Sequence, residues 1–168
     1  MKKLISYICL FALLVILQAF VFSHIQFRGS INAFPYIYLI IILPFSMKGR
    51  DILLVSTLIG LSLDIFTGNM GVHMSATIFT GYCRTILLPL MLTQNESKIE
   101  TTPSVNNNGW NWFIRYSTIM VLIHHFILFL LESFSLNHLD TIIFNTIFCG
   151  ALSLIIITII EFASKRNN

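Results

Sequence analysis

Apolar residues run along the chain in blocks, at about 4–23, 31–47, 52–66, 71–92, 110–131 and 141–163, separated by short polar stretches. A helix needs about 20 apolar residues to cross about 30 Å of hydrocarbon. Four blocks reach that length, and those at 31–47 and 52–66 fall short. A short block still spans where flanking residues snorkel or the bilayer thins, at fractions of a kcal/mol per Å of mismatch. The pattern predicts an all-α, polytopic transmembrane bundle with six spans, five being the alternative count. The whole of 1–168 then forms one integral membrane domain. Lys2 and Lys3 precede a first block longer than the roughly 7–15 residues of a signal-peptide core, and no small-x-small cleavage site follows. That block is expected to be a retained span.

The basic residues orient the bundle. Lys2, Lys3, Lys48, Arg50, Lys98, Lys165 and Arg166 fall at the ends and in the even-numbered connections, against Arg28 alone in the odd-numbered ones. Cytoplasmic connections retain Lys and Arg, so both termini are expected in the cytoplasm. The polar stretch 93–109, rich in Asn, Thr, Ser and Glu with Pro103, reads as a flexible cytoplasmic loop between spans four and five. Asn95, Glu96 and Ser97 match a glycosylation sequon by chance on that side. Trp110, Trp112 and Tyr116 stand where the fifth block meets the surface, the level at which amphipathic rings anchor helices.

Composition narrows the function. Hydrophobic residues make up 56% of the chain and charged ones 10%, against roughly a quarter charged in soluble domains. Six spans in 168 residues leave no room for a soluble catalytic domain. Cys9, Cys83 and Cys149 lie inside apolar blocks without zinc or disulfide spacing and read as small packing residues. The net charge of +3 is not gathered into a basic face, so nucleic acid is not an expected partner. No nucleophile elbow, HExxH or phosphate loop occurs, and no catalytic residue, metal site or cofactor is assigned.

Chemistry concentrates in the stretch 60–71. Ser56, Gly60 and Asp64 recur every four residues, which puts them on one helix face where small residues admit a neighbouring helix and turns the carboxylate toward protein. Gly68 and Gly71 then suit a tight helical hairpin. Thr77, Gly81 and Arg84 share a face of the fourth block, and Thr146 and Gly150 repeat the small-residue pattern in the sixth. Counted at 1.5 Å per residue from the cytoplasmic ends, Asp64 lies about 18 Å deep, Arg84 about 12 Å, and His124 and His125 about 18–20 Å. These depths permit a buried polar cluster in which Asp64 pairs with Arg84 or with one histidine, since adjacent histidines point about 100° apart. A polar lock between helices is favoured over a proton relay or a substrate counter-charge, and Arg84 snorkelling to the surface is the alternative for that residue. Glu132 shares a face with His125, near His138 and Asp140, but their spacing matches no metal-binding helix. Arg115 and Glu161 read as interface residues without a special role. Pro35 opens the second block where a missing donor is harmless, and Pro44 and Pro89 can kink their helices.

Gly60, Leu61 and Asp64, followed by Gly71 and then Gly81 and Tyr82, resemble the rod shape-determining MreD family. Pro35 at the start of the second block, the basic Lys48 and Arg50, the chain length and the span count agree with it. Beyond Gly81 no sharp motif remains to compare, and the loop 93–109 is longer than the family leads one to expect. The resemblance implies a multi-pass protein of the bacterial inner membrane, a non-enzymatic member of the cell-elongation (rod) complex that directs lateral peptidoglycan synthesis. It implies binding to MreC and, through the complex, coupling to MreB, RodA and a class B penicillin-binding transpeptidase. Membrane lipid is the other expected partner, and monomer and homo-oligomer both stay open. The second reading is a substrate-binding subunit of an energy-coupling-factor-type vitamin transporter, whose size and span count are similar, with Asp64 and Arg84 holding ligand. An intramembrane enzyme using His124 or His125 as a base ranks last.

Overall fold

The computed structural model describes residues 2–24, 32–69, 71–92 and 101–166, with the side chains of 2–4, 136 and 165–166 left aside. Arg28, the sequon at 95–97, Lys98 and the first half of the polar loop lie outside the described residues, as do the side chains of Lys2, Lys3, Lys165 and Arg166. Within them the fold is all-helical. The long elements are α1 (Lys2–Leu17), α3 (Gly49–Thr67), α4 (Val72–Met91), α6 (Trp110–Ser133) and α7 (Leu139–Arg166), with single turns α2 (Tyr38–Ile41) and α5 (Val105–Asn108). Ile5–Phe22, Trp110–Ser133 and Leu139–Ser164 are long and apolar enough to cross a membrane, which marks the chain as a membrane protein. At 19 and 20 residues α3 and α4 extend about 28–30 Å, but they carry Arg50, Asp51, Asp64 and Arg84. The helix expected at 52–66 is therefore longer than its apolar block, because polar residues at both ends join it.

Each long helix buries one seam. In α6 this is Phe113, Tyr116, Ser117, Met120, Val121, His124, His125, Leu128 and Phe129, alternate steps of three and one that keep to one side of a helix. In α7 it is Ile142, Thr146, Cys149, Ser153, Ile157 and Glu161. The two seams face each other, and α6 also packs on α4, which is itself packed most extensively on α3.

The second block differs from the continuous helix its apolar run suggests. After Ala33 and Phe34 it makes a 3-10 turn at Pro35–Ile37 and the single α-turn Tyr38–Ile41, then runs irregularly through Pro44 to Lys48. Pro35 sits at the first position of the turn, where its missing N–H costs nothing. Tyr36, Ile37, Ile40 and Ile41 are fully enclosed. Buried backbone that leaves the helical ladder must find partners in surrounding protein, and here other elements supply them. Gln18 Nε2 donates to the Ala33 carbonyl at 3.3 Å and Ser153 Oγ accepts the Phe34 amide at 2.8 Å. Tyr116 donates to the Ile41 carbonyl at 3.3 Å, Arg84 to that of Leu43, and the Phe45 amide to Thr101 O at 3.0 Å. Gln18 is in place for this because α1 ends in a π-helical turn, Gln18–Phe22, that buries it.

The loop expected to be a free linker is folded against the bundle where it is described. Ser104 caps α5 by accepting the Asn107 amide at 3.2 Å, Val105 is buried, and the Val105 amide donates to Glu161 Oε1 at 2.8 Å.

Candidate functional site

The hairpin of α3 and α4 is built by three residues acting together. Gly68 and Gly71 hold φ of +72° and +82°, left-handed values that glycine adopts without strain. Gly71 is the N-cap of α4 and has no side chain to satisfy the first free amides. Asp64 does this from the preceding helix: Oδ1 accepts the His73 amide at 3.0 Å and Oδ2 the Met74 amide at 2.9 Å. An anion at the positive end of a helix dipole is favoured as well. The geometry requires α4 to start almost on the backbone of α3, and Gly60 permits it. A Cβ there would fall on the Met74 Cα and Thr77 Oγ1, and 2.7 Å from the His73 carbonyl. Gly81 repeats the contact further along, where an added Cβ would meet Ser56 Oγ and lie 3.2 Å from Ser56 Cβ. Gly150 is looser, with Val121 and Leu122 at ordinary contact distances of 3.6 and 3.7 Å. Thr77 and Thr146 turn their hydroxyls back onto their own helices.

Beneath this hairpin lies a buried chain of hydrogen bonds. His73 Nδ1 is 3.0 Å from the Tyr36 hydroxyl, which is 2.6 Å from His124 Nε2, and His124 Nδ1 is 3.1 Å from Thr80 Oγ1. Thr80 donates to the Ala76 carbonyl at 2.7 Å. With that proton engaged, His124 Nδ1 donates to Thr80, Tyr36 to His124 Nε2, and His73 Nδ1 to Tyr36. Every polar atom on this path is paired, and paired networks in low dielectric hold a single arrangement. His125 joins a separate group: its Nε2 is 3.0 Å from Ser153 Oγ and its Nδ1 is 2.8 Å from the Val121 carbonyl. Its ring packs edge-on against Phe34. Only one of the two histidines enters the central chain, as their angular separation implies.

Asp64 and Arg84 do not pair. The hairpin fixes Asp64 at His73 and Met74, and Arg84 follows Met74 by ten residues, about 15 Å along the helix axis. Counting depth from the two cytoplasmic ends brought the residues closer than the capped turn allows. Arg84 does not snorkel either. It is fully enclosed and donates to the Leu43 carbonyl, and its Nε has no partner. The one ion pair among the described residues is the exposed Arg50 with Asp51. Glu161, read as an ordinary interface residue, is buried and accepts from Tyr38 at 2.8 Å and from the Val105 amide at 2.8 Å. Glu132 is exposed, and among the described residues no three His, Cys, Asp or Glu side chains gather where they could hold a metal.

No family model matches the chain, and neither a curated protein nor a solved structure does. The polar interior must therefore be read on its own geometry. His73, Tyr36, Thr80, Ser153 and Gln18 are members that the sequence pattern left unmarked. One signal for two of them was available: His73, Thr77, Thr80, Gly81 and Arg84 fall on a single helical face.

Proposed function

We propose that the chain is a non-enzymatic scaffold of the bacterial inner membrane, a subunit of the cell-elongation complex that binds MreC by helix packing and through it reaches MreB, RodA and a class B penicillin-binding transpeptidase. In this reading α1, α3, α4, α6 and α7 cross the bilayer with both termini in the cytoplasm, and the interrupted segment 32–48 is the sixth element, held inside the bundle. The supporting observation is that the central polar groups are used on one another. Asp64 caps α4, and His73, Tyr36, His124 and Thr80 close a chain, so these groups are engaged with one another and with the backbone. What the long helices offer outward is apolar: Ile8, Leu13 and Phe20 on α1 and its final turn, and Ile147, Ile155 and Ile159 on α7, are more than half exposed. In lipid such faces associate by close packing.

The test is depletion in a rod-shaped host together with affinity purification. Rounded or widened cells and recovery of MreC with the protein are expected. Rod-shaped growth without the protein, and no MreC in the purified material, would refute the scaffold role.

A further inference from the structure

α1 and its π-helical turn pack on the bundle at one end only. Leu14, Val15, Gln18 and Ala19 are buried, whereas no residue from Ile5 to Leu13 is. The first half of the helix therefore stands off the bundle, and two hollows of different chemistry open beside it. One is a groove of about 660 Å³ between α1 and α3. Its walls, among them Ile8, Phe11, Leu39, Val55 and Leu58, are almost wholly apolar. The other is a pocket of about 620 Å³ between α1, α7 and the folded loop, where Ser6, Tyr38, Thr101, Thr102, Asn107 and Ser164 bring hydroxyl and amide groups. Tyr7 and Pro44 line both, so the hollows adjoin. Each has the size of an ordinary ligand cavity, about 300–1,000 Å³.

We propose that the two together form a binding site for one neutral glycolipid, an acyl chain lying in the apolar groove and a monosaccharide headgroup hydrogen-bonded in the pocket. The headgroup follows from the wall. Among the described residues no charged side chain lines either hollow, so a phosphate would meet no cation there. It would also face the carboxylate of Glu161, which stands one hydrogen bond behind Tyr38, and like charges brought together oppose binding. The wall asks for donors as well as acceptors. Tyr38 donates its proton to Glu161 at 2.8 Å, so its oxygen can only accept. Asn107 spends an amide proton on the Thr102 carbonyl at 2.8 Å and keeps its side-chain oxygen as an acceptor. The Ser and Thr hydroxyls can do either. Several hydroxyls without net charge match such a wall, because each both donates and accepts. A sugar carries them, whereas a diacylglycerol offers a single one. The site does not depend on the scaffold role.

The experiment uses the full-length protein, delipidated in a polyoxyethylene detergent, which carries no sugar to compete. It is titrated under native mass spectrometry with monoglucosyl diacylglycerol, diacylglycerol or phosphatidylglycerol of the same acyl chains. One glycolipid per chain is expected, retained about tenfold more tightly than either of the others, a difference of about 1.4 kcal/mol. Leu58 is 58% exposed, so Leu58→Trp fills the groove from outside without touching the core and should weaken retention of the glycolipid about tenfold. Ser6→Ala combined with Thr102→Val removes two wall hydroxyls at positions that are not buried. It should lower glycolipid retention about tenfold and leave diacylglycerol unchanged. Diacylglycerol or phosphatidylglycerol held as tightly as the glycolipid would overturn the headgroup assignment. Equal retention of all three as a broad distribution that Leu58→Trp leaves unchanged would mean annular lipid only and would overturn the site.

Discussion

Replacing Asp64 by alanine is the most direct probe of the hairpin. The amides of His73 and Met74 lose their acceptor, in a position where the carboxylate is only 5% exposed. Each buried unpaired donor costs about 1–3 kcal/mol, while the variant no longer carries the desolvation cost of the carboxylate. The net loss should be about 2–4 kcal/mol. At about 2–4 °C per kcal/mol for a chain of this size, Tm falls by roughly 4–16 °C. Cys149 is buried while Cys9 is exposed, so a Cys9→Ser, Cys83→Ser background lets a thiol-reactive fluorophore report unfolding of detergent-solubilised protein through Cys149. Asp64→Asn keeps one acceptor but turns an amide donor toward an N–H, and should fall between wild type and alanine. A melting point for Asp64→Ala within about 2 °C of wild type would refute the capping role. Recovery of lost stability in an Asp64→Arg, Arg84→Asp exchange would restore the ion-pair reading in its place.

Three further outcomes follow from the packing. Gly81→Ala should cost about 1–3 kcal/mol by overpacking; the loss should shrink in a Ser56→Ala background, because Ser56 Oγ is the atom in the way and has no hydrogen-bond partner, and a double-mutant cycle measures this coupling. Tyr36→Phe removes the hydroxyl between His73 and His124 and should lower stability by about 1–3 kcal/mol, read as a thermal shift; a value within a few tenths of wild type would show that the chain of hydrogen bonds does not hold the core. Glu161→Gln should loosen the folded part of the polar loop, since the Val105 amide and Tyr38 share that carboxylate, and limited proteolysis should then cut near 101–109 faster than in wild type.

The helix faces were legible because period alone determines them. Ser56, Gly60 and Asp64 at steps of four are buried together, and so are Thr77, Gly81 and Arg84. The partner of Asp64 was not, because helix-start amides carry no side-chain signature and were never candidates beside the visible Arg84. The second block misled for another reason. An apolar run buried on every side has no periodicity to distinguish a helix from an irregular path, and the side chains that satisfy its backbone lie elsewhere in the sequence. Glu161 illustrates the same limit: it reads as an interface residue without a special role until a distant amide and the Tyr38 hydroxyl converge on it.

The interrupted segment also sets an order of events during synthesis. Its partners Arg84, Tyr116, Ser153 and Glu161 come 41, 75, 119 and 123 residues after the groups they hold. Until α7 has emerged, the Phe34 amide and the Tyr38 hydroxyl lack the partners that hold them in the fold. The second segment is therefore made well before these partners, and the bundle completes its hold on it only once α7 has been made. A nascent chain halted before Ser153 should leave that segment accessible to chemical labelling.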